Sequence, residues 1–182
     1  MASDPKPSLI VLTGFMGSGK SSVGRALALL LDWNFVDLDC EIEREQGRKI
    51  REIFAGEGEA EFRKIEAATL TSVLTSAPRP VVLATGGGTY VQTDNAKLLR
   101  TEGAIVIFLQ ATPETLMRRC CDGEEGVRPL AADRDAFVRV YEERLPIYRT
   151  ADITVDSDNM SPEGAARVVV EKLKLLRRSD HL

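Results

Sequence analysis

The chain has 182 residues, of which 43% are hydrophobic and 29% charged, a composition typical of a globular protein and not of a disordered or fibrous one. Its 24 basic and 28 acidic side chains give a formal net charge of −4, the wrong sign for a protein that binds mainly to nucleic-acid phosphates. The length predicts a single domain over residues 1–182, and the single histidine, His181, lies next to the C-terminus, which argues against a histidine-based catalytic triad or metal site.

Five short apolar, β-branched segments, each bounded by Gly, Pro, Asp or Asn, predict strands at Leu9–Thr13, Asn34–Leu38, Val81–Thr85, Ala104–Leu109 and Ile153–Val155. Segments with helical periodicity lie between them. Their apolar positions are Val23, Ala26, Leu27, Leu30 and Leu31, then Phe62, Ile65, Thr69 and Val73, and finally the run from Ala165 to Leu176. Because strands and helices alternate, we predict an α/β fold with a parallel sheet covered by helices on both faces, and with ligands at the carboxyl edge of the sheet.

Directly after the first predicted strand, Gly14-Phe-Met-Gly-Ser-Gly-Lys20-Ser21 matches the phosphate-binding pattern G-x-x-x-x-G-K-[ST] at the start of a helix. Backbone N–H groups of this P-loop (residues 14–21) would hold nucleotide phosphates, Lys20 would reach the β- and γ-phosphates, and the Ser21 hydroxyl would bind Mg²⁺. The candidate nucleotide-binding residues are Gly14, Gly17, Ser18, Gly19, Lys20, Ser21 and Ser22. The alternative is an ordinary glycine-rich turn between a strand and a helix.

The second predicted strand ends in two acidic residues, Asp37 and Asp39. At a spacing of two, carboxylates on one strand point to the same side of it. One could assist Mg²⁺ while the other orients a substrate hydroxyl and accepts its proton, an arrangement that suits phosphoryl transfer to an alcohol. A polar strand end or a helix cap would explain the same residues without any chemistry.

Arg63 lies four residues after Glu59 and three before Glu66, on a predicted helix whose opposite face is apolar. Surface ion pairs at these spacings would by themselves explain the three residues. Beyond the third predicted strand, the sequence Thr85-Gly86-Gly87-Gly88 leaves bare backbone at the sheet edge, where a ligand could approach closely. A loose turn is the alternative for this segment.

The stretch from residue 121 to residue 132 contains glycine, proline and acidic residues without periodicity, so we expect an exposed, mobile loop that could act as a lid. The last predicted helix has a readable start, because Ser161 can cap its N–H groups and Pro162 suits the first helical position.

The longest apolar run, Ala26–Leu31, is far shorter than the ~20 residues that a membrane-spanning helix needs. Cys40, Cys120 and Cys121 lack the spacing of a zinc or redox pair and are interpreted as free thiols of a reducing compartment. We therefore expect a cytoplasmic protein that binds neither a membrane nor nucleic acid.

Six motifs, in this order, resemble those of the shikimate kinase family of small P-loop kinases: GFMGSGKSSVGR, FVDLDCEIE, IFAGEGEAEFRKIE, LATGGG, VRPLA and ERLPIY. The resemblance extends from Leu9 to the final helix. It implies a three-layer P-loop kinase fold similar to nucleoside monophosphate kinases, with a five-stranded parallel sheet, substrate-binding helices at about residues 40–76 and a lid at about residues 121–132. The implied reaction transfers the ATP γ-phosphate to the 3-hydroxyl of shikimate with Mg²⁺; we expect ATP and shikimate as the partners of a monomer.

The matched positions imply roles for individual residues. The implied catalytic residues are Lys20, Asp39, which binds shikimate hydroxyls and accepts a proton, and Arg128, which contacts the transferring phosphate and is therefore also an implied nucleotide-binding residue. Asp37 would hold Mg²⁺ through water beside Ser21. The implied substrate-binding residues are Asp39, the carboxylate clamp Arg63 and Arg144, and the backbone donors Gly87 and Gly88, with Glu66 orienting the arginines and with Phe54 and Phe62 as apolar walls. Guanidinium suits a carboxylate because it presents paired donors.

Several points stay open at the level of the sequence. The lid motif reads Arg128-Pro129-Leu130-Ala131, where many members have a second leucine. The loop before the last helix reads Asp158-Asn159-Met160 and lacks the basic residue that some members place against adenine, although Arg118 or Arg119 could contact the nucleotide. The alternatives to a shikimate kinase are a related kinase acting on gluconate or a nucleoside monophosphate, and a nucleotide-sensing module that transfers no phosphate.

Overall fold

The computed structural model describes residues 7–121 and 133–179, and its centre is a five-stranded sheet. The strands are β1 (Leu9–Thr13), β2 (Asn34–Asp37), β3 (Val81–Ala84), β4 (Ile105–Gln110) and β5 (Ile153–Asp156). They lie in the order β2-β3-β1-β4-β5, and every pair of neighbours is parallel. The predicted parallel sheet is confirmed, and each predicted strand end lies within one residue of the observed one.

Seven helices occur in the described ranges: α1 (Lys20–Leu31), α2 (Leu38–Gln46), α3 (Ile50–Ser76), α4 (Thr93–Thr101), α5 (Pro113–Cys121), α6 (Arg134–Tyr148) and α7 (Pro162–Ser179). The helix α3 is interrupted at Gly58, whose φ of 81° and ψ of 176° are not helical. The predicted start of α7 is confirmed, because the Ser161 hydroxyl accepts a hydrogen bond of 3.1 Å from the Gly164 N–H. Within these ranges we find no helix whose length and hydropathy would let it cross a membrane.

The sheet divides the apolar side chains into two cores, as a three-layer α/β fold requires. Strand β1 shows the division most simply, because successive side chains point to opposite faces. Leu9 and Val11 pack with side chains from α2 to α6, whereas Ile10 and Leu12 pack with α1 and α7. All four of these side chains are fully buried, so both faces of the central strand are covered.

The helix α1 faces the sheet with Gly24, Leu27 and Ala28 rather than with Leu30. The predicted apolar face included Leu30, but this side chain is 50% exposed, whereas Gly24 and Ala28 are buried. A Cβ atom added to Gly24 would lie only 2.5 Å from the ring of Phe35 on β2. The prediction was wrong for Leu30 because the close approach of Gly24 to Phe35 sets which face of α1 is buried, and hydrophobic periodicity does not reveal such a contact.

Candidate active site

The P-loop joins β1 to α1 through glycines whose φ values are positive. Gly14, Gly17 and Gly19 have φ of 143°, 78° and 85°, a region that other residues rarely adopt. A Cβ atom on Gly17 would lie 2.5 Å from the carbonyl oxygen of Leu116, so the loop also packs too closely against α5 for a side chain. The helix α1 begins right after Gly19 without a side-chain cap, which is the arrangement of an anion-binding helix N-terminus.

The Lys20 side chain folds back over the P-loop. Its Nζ donates hydrogen bonds to the carbonyl oxygens of Gly14 at 2.9 Å and Phe15 at 3.0 Å, and to the Ser18 hydroxyl at 3.3 Å. Ser21 is half-buried and Ser22 exposed, and both lie in the first turn of α1. Of the predicted nucleotide-binding residues, Gly14 and Ser18 therefore contact the Lys20 ammonium group directly.

Asp37 is a helix cap. Its Oδ1 accepts hydrogen bonds from the backbone N–H groups of Asp39 at 3.1 Å and Cys40 at 3.4 Å, so β2 ends at Asp37 and α2 begins at Leu38. The prediction that two carboxylates point to one side of a strand was therefore wrong. Asp39 extends instead from the first turn of α2.

The carboxylate of Asp39 lies against the backbone that follows β3. A Cβ atom added to Gly86 would lie 2.9 Å from Asp39 Oδ1 and 3.1 Å from Glu66 Oε1. The register of the sheet explains the approach, because Asp37 at the end of β2 is paired with Ala84 at the end of β3. Only a glycine at position 86 leaves room for both carboxylates.

Arg63 pairs with a buried carboxylate. Its Nη1 donates to Glu66 Oε2 at 2.8 Å and its Nη2 to Glu59 Oε1 at 3.0 Å; the Arg63 side chain is 19% exposed and that of Glu66 only 1%. Glu66 shares the buried face of α3 with Phe62 and Leu70. The prediction that the apolar face of this helix lies opposite Glu66 was therefore wrong. Burial disfavours the charged form of Arg63, but Glu66 and Glu59 outweigh it and hold its pKa above the ordinary value. A purely surface ion pair therefore does not describe this residue.

Residues 86–88, which we name the glycine turn, lie between Asp39, the P-loop and Arg63. Gly86 lies against Asp39, as described above. A Cβ atom on Gly87 would lie 3.4 Å from the Met16 N–H nitrogen and 3.6 Å from the Gly14 carbonyl oxygen, both in the P-loop. A Cβ atom on Gly88 would lie 2.5 Å from both terminal nitrogens of Arg63. Three consecutive glycines thus touch three groups that are far apart in sequence.

The helix α6 closes another side of the site. Arg144 is half-buried, and its Cζ lies 5.7 Å from the ring centre of Phe15 in the P-loop. One turn further on, the buried hydroxyl of Tyr148 donates to the carbonyl oxygen of Gly87. Burial raises the pKa of Tyr148 to about 12, although the nearby charges of Arg144 and Arg63 act in the opposite direction. Both arginines of the predicted clamp therefore lie near one tyrosine hydroxyl.

The two phenylalanines predicted as apolar walls are in contact with each other. The ring centres of Phe54 and Phe62 are 4.4 Å apart, and the Arg63 guanidinium lies 5.2 Å from the centre of the Phe62 ring. Phe62 is buried, whereas Phe54 is 37% exposed. An apolar surface therefore adjoins the guanidinium of Arg63.

Arg128 and residues 122–132 of the predicted lid, which was expected at about residues 121–132, lie outside the described residues. At the end of α5, Arg118 is exposed, whereas Arg119 Nη2 donates to the carbonyl oxygens of Ser157 at 2.7 Å and Asp158 at 3.0 Å. Arg119 therefore links α5 to the loop before α7. This is the loop that lacks the basic residue which some members of the family place against adenine.

Two buried hydroxyls of the site were not among the candidate residues of the sequence. Tyr148 stood in the motif ERLPIY, so a motif position without a role was its signal. Thr89 donates its hydroxyl proton to Glu66 Oε1 at 2.7 Å, and its position directly after the glycines was its only signal. Neither contact could be derived from spacing, because both depend on how α3, α6 and the glycine turn pack together.

Comparison with known proteins shows which family shares these features. A family model described as shikimate kinase matches residues 16–174 of the chain. A shikimate kinase of Moorella thermoacetica is 44% identical over 170 residues, which are 92% of this chain and 95% of the relative. The solved structure of an Acinetobacter baumannii shikimate kinase in complex with shikimate has a TM-score of 0.80 and 36% identity, and the alignment covers 96% of this chain and 95% of that one.

The same architecture occurs in a protein of another name. A gluconokinase from Sinorhizobium meliloti has a TM-score of 0.69 over 96% of both chains, but it is only 22% identical to this chain. This likeness is one of fold alone.

Proposed function

The chain belongs to the shikimate kinase family, and from this membership we propose how its residues carry out the reaction. Its activity is that of a shikimate kinase, a P-loop enzyme that uses ATP in the shikimate pathway. The glycine turn is the observation that carries our assignment of residues, because it contacts Asp39, the P-loop and Arg63 in succession. A phosphate donor held by the loop and an acceptor held between Asp39 and Arg63 would meet across this turn.

On the nucleotide side, we assign the phosphates of ATP to the backbone N–H groups of the P-loop and of the first turn of α1. Lys20 already directs its ammonium group at the carbonyl and hydroxyl oxygens that line the loop. In the complex with ATP it would pair with oxygens of the β- and γ-phosphates and offset the negative charge of the transfer.

On the acceptor side, the guanidiniums of Arg63 and Arg144 would bind the shikimate carboxylate, and the N–H groups of Gly87 and Gly88 would donate to its oxygens. The Asp39 carboxylate would accept a hydrogen bond from the 3-hydroxyl and take its proton. The hydroxyl oxygen then forms the bond to the γ-phosphorus while the bond to the bridging oxygen breaks, which releases ADP and shikimate 3-phosphate.

The residues present fit Mg²⁺. No group of three or more His, Cys, Asp or Glu side chains that could hold a metal ion occurs in the described part of the chain. Mg²⁺ does not need such a group, since it binds one or two protein oxygens together with phosphates and water. Both hydrogen bonds that Asp37 accepts use Oδ1, so we assign Oδ2 to the water shell of the ion and the Ser21 hydroxyl to the ion itself. Bound Mg²⁺ would neutralise charge on the β- and γ-phosphates.

Arg128 is assigned to the transferring phosphate on its motif alone. The monomeric state and the cytoplasmic location of the chain stay predictions.

The experiment that tests this proposal measures ADP formation from Mg-ATP in the presence of chosen acceptors. Shikimate should accelerate ADP release and acquire phosphate at its 3-oxygen, as ³¹P and ¹H NMR of the product would show. Two analogues separate the two halves of the acceptor site. Shikimate methyl ester lacks the carboxylate for Arg63 and Arg144, and 3-dehydroshikimate lacks the hydroxyl next to Asp39, so neither should be phosphorylated at comparable concentration.

Gluconate and AMP complete the panel of acceptors. Acceleration by either of them without acceleration by shikimate would show that the acceptor is wrong and the kinase reaction right. If none of the acceptors increases ADP release above the rate without acceptor, the chain does not catalyse the transfer.

A further inference from the structure

Thr89 directly follows the glycine turn and is fully buried. Its hydroxyl donates to Glu66 Oε1 at 2.7 Å, although the two residues are 23 positions apart in sequence. It lies at the junction between the glycine turn and α3, the two elements that carry the acceptor-binding groups.

The Glu66 carboxylate divides its two oxygens between two partners. Oε1 accepts from Thr89, and Oε2 accepts from Arg63 Nη1 at 2.8 Å. Because the Glu66 side chain is only 1% exposed, these protein donors replace the water that an exposed carboxylate would have. Fixing one oxygen of a planar carboxylate also fixes the direction of the other, so the Thr89 hydroxyl influences where Glu66 holds the guanidinium.

Thr89 is itself held in place by its backbone. Its N–H donates to the Gly86 carbonyl oxygen at 3.2 Å, which closes the glycine turn, and its carbonyl oxygen accepts from Asn95 Nδ2 at 3.2 Å. The turn so closed presents Gly88, against which the Arg63 guanidinium lies. Thr89 therefore fixes both surfaces that position Arg63: the glycine backbone on one side and the Glu66 carboxylate on the other.

We propose that Thr89 is a positioning residue for acceptor binding, acting through Glu66 on the guanidinium of Arg63. The inference rests on the proposed role of Arg63 in binding the shikimate carboxylate. Bidentate binding of a carboxylate by a guanidinium depends on orientation, so a loosened Glu66 reduces affinity for shikimate while the P-loop and the nucleotide are unaffected.

The experiment compares Thr89→Ser, Thr89→Ala and Thr89→Val by steady-state kinetics with both substrates varied. Thr89→Ala should raise the KM for shikimate by about tenfold, the size expected for a hydrogen bond to a charged group, with the KM for ATP within about twofold of wild type. Thr89→Ser keeps the hydroxyl and should stay within about twofold for both substrates. The serine and alanine variants differ only in the hydroxyl oxygen, so this pair decides the question even if the valine variant does not fold.

Thr69→Val is the matched control. Thr69 lies on α3 within one turn of Glu66, is also buried, and donates its hydroxyl to Glu45 Oε2 at 2.7 Å. Removing this hydroxyl should leave the KM for shikimate unchanged. An equal rise in both KM values for Thr89→Ala, an equal effect of Thr89→Ser, or the same effect of Thr69→Val would overturn the inference.

Wild-type kinetics in the same assay separate this inference from the proposed function. A wild-type enzyme that phosphorylates shikimate, together with a Thr89→Ala variant of unchanged KM, would refute the role of Thr89 alone. A wild-type enzyme that ignores shikimate would refute the proposed function and this inference with it.

Discussion

Arg63 shows how a charged side chain can be fixed by a glycine as much as by its ionic partners. Glu66 and Glu59 supply the opposite charge, but Gly88 supplies the flat backbone surface against which the guanidinium lies. The sequence motif predicted Arg63 as a substrate-binding residue. It could not predict that Glu66 is buried, because a carboxylate on the apolar face of a helix is expected only where a specific partner holds it.

Variants at Arg63 and Lys20 separate the acceptor site from the nucleotide site. Arg63→Ala should raise the KM for shikimate by about thirtyfold or more, because a charged hydrogen-bonding partner of the carboxylate is lost, while the Kd for ADP stays within about twofold. Lys20→Ala should lower kcat by about a thousandfold, because charge on the transferring phosphate is no longer offset. Steady-state kinetics and calorimetric titration with ADP measure both effects. An equal loss of ADP affinity in Arg63→Ala would refute its assignment to the acceptor.

Gly88 and Gly56 provide a test of the close contact at the glycine turn. Gly88→Ala would place a methyl group 2.5 Å from the terminal nitrogens of Arg63, so the guanidinium must move and the KM for shikimate should rise by about tenfold or more. Gly56 lies on α3, and a Cβ atom there would have no neighbour within 4 Å. Gly56→Ala should therefore leave kinetics unchanged. Wild-type kinetics in Gly88→Ala would contradict the described packing of Arg63.

At the scale of elements, the strands were predictable and the faces of the helices were only partly so. The five strands are apolar runs bounded by turn-forming residues, so their positions follow from the sequence within one residue. The end of β2 depends on a side-chain cap, and the buried face of α1 depends on how closely Gly24 packs against Phe35. Contacts of this kind are tertiary, and periodicity along one segment contains no information about them.

The cap of α2 gives Asp37 a structural role that must be separated from its proposed metal role. Asp37→Asn keeps an oxygen that can accept from the N–H groups of Asp39 and Cys40, so the free energy of unfolding should change by less than about 0.5 kcal/mol. Loss of the negative charge should still raise the Mg²⁺ concentration needed for half-maximal rate by about tenfold. Urea unfolding and a Mg²⁺ titration of the rate at saturating ATP measure the two effects.

Asp37→Ala is the matched variant, because it removes both the cap and the charge. It should lower the free energy of unfolding by about 1 kcal/mol and should also raise the Mg²⁺ concentration needed for half-maximal rate. An asparagine variant with the Mg²⁺ dependence of wild type would show that Asp37 acts only as a cap.

At the scale of the molecule, strand order brings distant motifs together. Because β3 lies between β1 and β2, the P-loop, the glycine turn and the start of α2 all leave the same edge of three adjacent strands. The alternation of strands and helices predicted a parallel sheet. The contacts between the glycine turn and the P-loop required the order of the strands, which local sequence patterns do not determine.

Tyr148 links the helix α6 to this edge of the sheet. Because its hydroxyl is buried, we expect the whole molecule to lose stability at alkaline pH. Its hydroxyl donates to Gly87, and its ring stacks on Phe108 with centres 5.2 Å apart. Burial raises its pKa from 10.0 to about 12, so the folded state favours the neutral phenol. The part of the unfolding free energy that depends on this neutral phenol is fully present below pH 10 and is lost as the pH rises through the folded pKa. Between the two pKa values the free energy of unfolding falls by about 1.4 kcal/mol for each unit of pH.

Tyr148→Phe removes this titration and keeps the ring. Below pH 10 the wild type should be more stable by about 1 kcal/mol, the contribution of the hydrogen bond to Gly87. Between pH 10 and 12 the difference should shrink and then reverse, because only the wild type must keep a phenol neutral inside the protein. Urea unfolding of both proteins at intervals of half a pH unit measures the difference, with circular dichroism at pH 7 as the check that the variant is folded. Parallel curves over this range would show that Tyr148 ionises in the folded protein as easily as in the unfolded chain, and that its hydroxyl is not held in the way described.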